Sequence, residues 1–395
     1  MAGDRFAGQR PIIAVAGALA HKPHHGGHAW VLLHYLLGFR RLGWDILFID
    51  RIDPHCSVDA AGRPCAPDAS INAAYVSELL SRFDLGDSFV VLAEGGRVIA
   101  GLSRDEAIDR LRRSAALLNI MGFLREPEWL AAAPGRVFID IDPGFPQMWC
   151  DLGLADLFAD HDAFVTVGSN IGRGGCTVPT CGRDWITMRP PVVLDCWPEW
   201  PAVEDAPFTT VASWRGGYGP VDYKGQTYGL RVHEFRRFLD LPSRTGARFE
   251  LALDIDPSDA ADVERLRDAG WILRPPREVA GTAEAYRACV RASAAEFTPA
   301  KNMYVRSQGG WFSDRSVCYL ASGRPVVAQR TAPTPACPEG EGLLLFDTID
   351  EATASVNEVR RDYARHSRAA RRLAETYFDS DIVLGALVRD LGLES

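Results

Sequence analysis

The sequence contains no CxxC pair, no lysine- or arginine-rich run, no apolar stretch of membrane-spanning length and no GxGxxG fingerprint. Each absence removes a class of protein. The nine cysteines are an odd number, scattered from Cys56 to Cys337 in a chain of 395 residues. A chain this long has no need of covalent staples, so these read as reduced thiols and not as a disulfide framework. Cys176 and Cys181 lie close in sequence, but no second pair with histidine partners follows at zinc-site spacing, and no bound metal or other cofactor is expected. The formal net charge is −9, a poor match for a polyanion, so nucleic acid is not an expected partner, although one basic pocket for a diphosphate is allowed. The apolar run Pro11–Leu19 is too short to cross a bilayer and lacks the ordered regions of a secretory signal. No integral membrane segment is therefore expected, and the reading is cytoplasmic. Gly17 to Gly27 does not form GxGxxG, which disfavours a nicotinamide oxidoreductase.

What is present suits a compact globular chain: 47% hydrophobic and 24% charged residues, in a length that favours two cores over one. The opening reads strand (Pro11–Ala16), glycine loop (Gly17–Gly27), helix (Trp30–Leu42, with Gly43 as C-cap) and strand (Asp45–Ile49). The alternation continues with a helix at Ala73–Phe83, a strand at Ser88–Ala93, a helix at Ser103–Leu117, and strands at Val137–Ile141 and Ala163–Val167. Around Asp195–Pro207 the texture changes to CWPEWPAVEDAP, which has no period, so a linker is placed at 196–207 between lobes at 1–195 and 208–376. The second lobe has strands expected at Phe208–Trp214, Phe249–Asp254, Trp271–Leu273, Met303–Val305, Pro325–Ala328 and Leu343–Leu345. Its helices are expected at Lys224–Leu239, Ala260–Ala269, Thr282–Ala295 and Asp314–Ala321, with a continuous charged helix over Asp350–Tyr377. The tail 377–395 is expected to pack back on the first lobe. The fold class is α/β, with two Rossmann-like, doubly wound lobes and a ligand cleft at the carboxyl ends of their strands.

Five segments carry candidate chemistry. In GALAHKPHHGGH, Gly26 and Gly27 precede a helix and would let backbone approach an anionic ligand. The histidines His21, His24, His25 and His28 crowd the same loop; a neutral imidazole suits removal of a hydroxyl proton near pH 7. In FIDIDPGFPQMW, Asp140 and Asp142 lie at a strand end, where either would orient a histidine or act as a base, or else cap a turn. Asn170, Thr180 and Trp185 follow the strand at 163–167 and are candidates to meet an acceptor. In SWRGGYGPVDYKG, Arg215 offers a fork for a diphosphate. In KNMYVRSQGGWFSDRSVCYLASGRPVVAQ, Ser313 or Asp314 caps a helix whose N–H groups would face a diphosphate, and Lys301, Arg306 and Arg315 add charge. Arg315 in a first helical turn opposes the dipole, so an anion is expected beside it.

The stretch FSDRSVCYLASGRPVVAQ resembles the donor-binding helix of group 1-type GT-B glycosyltransferases, "LEAMASGxPVVA", and the first fifty residues are similar to those enzymes' first strand, glycine-pair loop and helix–strand. The chain as a whole resembles a group of actinobacterial and environmental glycosyltransferase-like proteins sharing "DPGF.QMW", "VPT.G..W" and "GWFSDRS..YLASGRPVV". The resemblance implies a GT-B fold, a nucleotide-diphosphate sugar held by the second lobe and a hydroxyl acceptor held by the first, without a metal. The donor would meet Gly26, Gly27, Arg215, Lys301, Arg306, Ser313, Asp314 and Arg315; the acceptor would meet His24, His28, Asn170 and Trp185; His21 or His25, then Asp142, would be the base. The pair of glutamates common in group 1 enzymes falls here at Gly310 and Cys318, so Asp314 and Arg315 are expected in their place. A nucleotide-sugar epimerase of the same architecture and a non-catalytic nucleotide-sugar-binding protein remain as alternatives.

Overall fold

In the computed structural model the described residues are 10–201, 205–333 and 336–393. Residues 202–204, inside the expected linker, and 394–395, at the end of the tail, lie outside them.

The first lobe holds an eight-stranded sheet in the order β4-β3-β2-β1-β5-β6-β7-β8. Its strands are β1 (Ile12–Gly17), β2 (Asp45–Arg51), β3 (Phe89–Ala93), β4 (Arg97–Gly101), β5 (Ser114–Ile120), β6 (Arg136–Asp140), β7 (Ala163–Thr166) and β8 (Trp185–Thr187). Only the β3–β4 pairing is antiparallel. The second lobe holds β9 (Phe208–Ser213), a hairpin of β10 (Val221–Tyr223) and β11 (Gln226–Tyr228), β12 (Phe249–Asp254), β13 (Ile272–Arg274), β14 (Ala295–Thr298), β15 (Val326–Gln329) and β16 (Leu343–Phe346). Hairpin apart, these form an all-parallel sheet ordered β13-β12-β9-β14-β15-β16. In each lobe the first strand lies inside the sheet, with its neighbours added on opposite sides. That reversal opens a crevice beyond the carboxyl ends of β1 and β9, where doubly wound sheets bind ligands.

Seven helices matter for the site: α1 (Gly26–Arg41), α2 (Phe145–Asp151), α3 (Arg231–Phe235), α4 (Ala283–Ala292), α5 (Asn302–Ser307), α6 (Asp314–Ala321) and α7 (Ser380–Asp390). Helix α1 is apolar nearly all round, with Trp30 through Phe39 buried, because it is covered on two sides. One side lies on its own sheet and the other meets α4 and α7. The final helix returns to the first lobe, where Leu384 and Ser380 approach Gly38 so closely that a Cβ there would stand 2.5 Å from Leu384 Cδ1. Within 196–207, Trp197 is fully buried against Trp30, His34 and Tyr286, so this stretch is anchored at its start. Among the described residues no helix is long and apolar enough to cross a membrane.

Four expectations fail here for identifiable reasons. The helix expected over Ser103–Leu117 ends at Arg112, and Ser114–Ile120 is the central strand β5. Its Ala-Ala-Leu-Leu run favours helix locally, but pairing with β1 on one side and β6 on the other overrides that preference. The helix expected over Lys224–Leu239 begins only at Arg231, because Lys224 (φ 49°) and Gly225 (φ 77°) form the two-residue left-handed turn of a hairpin that takes the residues up to Tyr228. Met303–Val305 is part of α5 and not a strand. The charged C-terminal helix breaks at Asp362 (φ −139°), whose side chain caps a new helix by accepting from the Arg365 N–H.

Candidate functional site

The two lobes meet along three lines, and several of the residues singled out by sequence lie on them. At the first line α1 begins against α4. A Cβ on Gly26 would stand 2.0 Å from the Thr282 carbonyl oxygen, and one on Gly27 would stand 3.2 Å from the Tyr286 ring. The glycine pair thus serves the approach of one lobe to the other; the donor contact expected of Gly26 and Gly27 is corrected to lobe packing. At the second line, Asp142 reaches across to the second lobe. Lys301 Nζ lies 2.6 Å from its Oδ2 and the Tyr304 hydroxyl donates to its Oδ1. At the third, the Asn170 side-chain amide donates to the Gln308 carbonyl (2.8 Å) and its N–H to Gly309 O (3.0 Å). Asn170 is a lobe tether and not the acceptor contact expected of it.

Behind the Asp142 contact, Asp140 is fully buried. Its Oδ2 accepts from Gln147 Nε2 (2.6 Å) and Thr166 Oγ1 (2.8 Å), and its Oδ1 from the Asp142 N–H (3.1 Å). Burial raises its pKa to about 7, those side-chain hydrogen bonds opposing. The strand ends at Asp140, and the Asp142-Pro143-Gly144 turn passes through a left-handed Gly144 (φ 113°) into α2. The two carboxylates therefore do not share a face: Asp140 braces the turn from within, and Asp142 emerges at the cleft.

The floor of the second lobe is built differently from expectation. Ser313 is the N-cap of α6, its Oγ accepting from the Arg315 N–H at 3.2 Å. Arg315, however, turns inward. Its Nε pairs with the buried Glu296, Nη1 donates to Val211 O (3.0 Å) and Nη2 to Thr298 Oγ1 (2.6 Å). The anion expected beside Arg315 is thus Glu296 of β14, and this guanidinium ties β9, β14 and α6 together from below. Asp314 faces a small apolar cavity of about 10 Å³ beside Tyr35, Ile141 and Trp311, and burial raises its pKa. Arg215 forks onto Asp259 (2.7 and 2.5 Å), and Arg306 is exposed and donates to Thr227 O of the hairpin (3.0 Å). Arg215 is thus spent on Asp259, whereas Arg306 forms no ion pair among the described residues. Trp185 belongs to the outer edge of the first sheet, in an aromatic cluster with Phe138, Phe158 and Phe164, its indole N–H donating to Thr180 O. It lies away from the cleft.

One cation was missed. Arg231 opens α3 at the carboxyl end of β14, only 7% exposed, and its Nη1 donates to Pro299 O. Among the described residues it has no carboxylate partner. Burial lowers its pKa to about 10, and Arg315 close by pushes in the same direction. A buried guanidinium without a counter-ion is costly, since desolvation of a charge is offset only by a close partner. Sequence reasoning had absorbed it into the helix expected over Lys224–Leu239; the Gly-Leu-Arg that follows the hairpin was the available signal.

On the first lobe, Asp50 at the end of β2 is fully buried and accepts from the Ala20 N–H at 2.7 Å, anchoring the histidine loop. Burial raises its pKa to about 8. The four histidines then part ways. His21 Nε2 accepts from the Asp53 N–H (3.2 Å); burial lowers its pKa to about 4, with Asp53 opposing. His28 donates its Nε2–H to Ala18 O (3.0 Å), and burial lowers it to about 3. His24 is exposed in a left-handed conformation (φ 68°). His25 flanks the start of α1, exposed to the cleft, and makes no side-chain hydrogen bond among the described residues. Its pKa is lowered by the protein around it and then by Lys22. His21, His24 and His25 line a cavity of about 330 Å³, closed on the far side by Arg277 of the second lobe.

No family model matches the sequence, and a sequence search of curated proteins gives no match. Solved structures give a clear likeness. HepE of Anabaena, in complex with UDP and glucose, aligns at a TM-score of 0.55 and 12% identity over 97% of this chain and 100% of that one. Sucrose-phosphate synthase of Thermosynechococcus elongatus aligns at 0.54 and 12%, over 98% and 100%. AviGT4, a glycosyltransferase involved in avilamycin A biosynthesis, aligns at 0.51 and 16%, over 96% of both. At such identities the likeness is one of fold: the chain has the two-lobed GT-B architecture of glycosyltransferases.

Proposed function

We propose that this protein transfers a glycosyl group from a nucleoside-diphosphate sugar to a hydroxyl acceptor, a natural product or a glycan. The observation that carries the reading is Arg231. A buried guanidinium without a carboxylate partner among the described residues, at the carboxyl end of the central strands of a parallel sheet, suits a ligand that brings its own negative charge. A diphosphate does so, and its charge grows as the glycosyl bond breaks, which is when a fixed cation helps most. Lys301, 2.6 Å from Asp142, is the second cation on that face. Charge neutralised in this way by side chains needs no divalent metal. HepE was solved with UDP and with UDP-glucose, so uridine nucleotides are the first donors to test.

The acceptor lies in the first lobe at the histidine loop. There His25 takes the proton of the attacking hydroxyl while the acceptor oxygen bonds to the anomeric carbon and the bond to the diphosphate breaks. His25 is preferred over His21 because the His21 acceptor nitrogen already receives the Asp53 N–H, and over Asp142 because both its oxygens are engaged by Lys301 and Tyr304.

Titration calorimetry with UDP, GDP, dTDP and ADP tests the reading. Saturable binding of one of them by the native protein, lost in Arg231→Leu, is expected. Binding unaffected by Arg231→Leu overturns the donor assignment. Release of an isomerised sugar nucleotide without any acceptor would favour an epimerase instead.

A further inference from the structure

The 330 Å³ cavity at the histidine loop is uncommonly cationic for a protein of net charge −9. Lys22 projects into it from the first lobe and Arg277 from the second, both exposed, and among the described residues neither forms an ion pair. The acid on its lining and the acid that acts most on Lys22 are already engaged. Asp59, the one carboxylate lining the cavity, is bonded to the Arg63 side chain (3.0 Å) and to the Ala61 and Arg63 N–H groups (2.8 and 2.9 Å). Asp142, the acid closest in effect to Lys22, is occupied by Lys301 and Tyr304. His25 lies within reach of both cations, each of which lowers its pKa further. The cavity lining therefore holds two fixed positive charges and three imidazoles against one carboxylate, Asp59, which is already bonded; Asp254 and Asp314, which act on His25 and Lys22 from outside the lining, offset the charge only in part. Although Lys22 is open to the cleft, the protein packed on either side lowers its pKa through desolvation. A partner anion would relieve that cost.

We propose that the acceptor carries an anionic group, phosphate or carboxylate, seated between Lys22 and Arg277, with the acceptor hydroxyl presented to His25. This rests on the glycosyl-transfer reading for the role of the cavity, and adds the substrate class. The volume is that of a small-molecule site at the lower end of the usual range, which suits a single phosphorylated or acidic sugar or a compound of that size. Because the two cations belong to different lobes, the anion would also link them, placing the acceptor only when the cleft is assembled.

The test uses the intact protein and titration calorimetry with glucose 6-phosphate, glucuronate and glucose, each alone and then with UDP present. Saturable binding of glucose 6-phosphate or glucuronate, but not of glucose, is expected; the first two arms decide between phosphate and carboxylate. Lys22→Gln and Arg277→Gln should each weaken the anionic sugar about tenfold or more while leaving UDP affinity within about twofold. Both positions are exposed and unpaired, so these variants should fold, which a thermal melt verifies. Equal binding of all three sugars, binding of none, or anionic-sugar binding untouched by both substitutions overturns the proposal. Loss of UDP affinity in these variants also overturns it, assigning the cations to the donor. Failure of the native protein to bind any nucleoside diphosphate is a separate result, and counts against the glycosyl-transfer reading alone.

Discussion

Lys301 Nζ lies 2.6 Å from Asp142 Oδ2, an ion pair that joins the turn after β6 in one lobe to the start of α5 in the other. The pair is flanked by the rings of Phe145 and Tyr304, 5.4 and 5.2 Å from the ammonium. Both partners are mostly buried, so it is shielded from the screening that makes surface pairs weak. A double-mutant cycle with Asp142→Asn and Lys301→Met, read by denaturant unfolding, should show a coupling of about 1–2 kcal/mol. Additive effects would mean that the lobes do not communicate through this contact.

The two buried arginines of the second lobe should behave in opposite ways. Arg315 neutralises the buried Glu296, so Arg315→Ala leaves an unpaired carboxylate and should cost about 3–5 kcal/mol. Arg231→Leu removes a buried cation that has no carboxylate partner among the described residues, and should leave the melting temperature near or above that of the native protein. Nucleotide binding should fall by about tenfold or more in the same variant. A collapse of Arg231→Leu on melting would make that side chain structural.

His25→Ala should lower the turnover number by about 100-fold or more and leave nucleotide affinity unchanged. His21→Ala should act chiefly on stability, because His21 fixes the Asp53 backbone. Rate measurements on both variants check this. Full activity in His25→Ala would move the base elsewhere.

Two sets of buried groups should pull stability in opposite directions as pH changes. Burial holds His21, His28 and His34 at about 4, 3 and 3, below the 6.5 of an unperturbed imidazole. Below pH 6.5 the unfolded chain binds protons that the folded chain refuses. The stability these histidines contribute is thus present above that pH and drains as pH falls towards 3 to 4. Asp50 runs the other way. Its folded value of about 8 exceeds the unperturbed 3.8, so its contribution is full below 3.8 and is lost as pH rises to 8. Melts of Asp50→Asn against the native protein should therefore shift in favour of the variant between pH 4 and pH 8. Parallel curves would show that Asp50 does not titrate in this window.

Much of the architecture was legible from periodicity. The strands β1, β2, β3, β6, β7, β9, β12, β15 and β16 are short apolar runs bounded by turn residues, and the helix α6 announces itself through Ser313 at its start and Gly323 beyond its end. The central strand β5 was not legible, because its seven residues are good helix formers whose strand state exists only through two neighbouring strands. For the site, sequence identified segments that reach the cleft but not the intramolecular partners that several of their side chains find there. Gly26 and Gly27, Arg215, Asn170 and Arg315 carry the residue types of a ligand site and are engaged instead by Thr282 and Tyr286, Asp259, the Gln308–Gly309 backbone and Glu296.

The sequence by itself determined most of the alternation of strand and helix and which loops end at the carboxyl edges of two sheets, since both follow from local apolar spacing and from Gly, Pro and capping residues. Only the tertiary structure decided which charges are paired. A cation's partner lies well outside its own local segment: Glu296 is 19 residues from Arg315, and Asp142 is 159 from Lys301. Whether a guanidinium is a structural tie or a waiting ligand, as with Arg231, depends on what the folded chain packs against it.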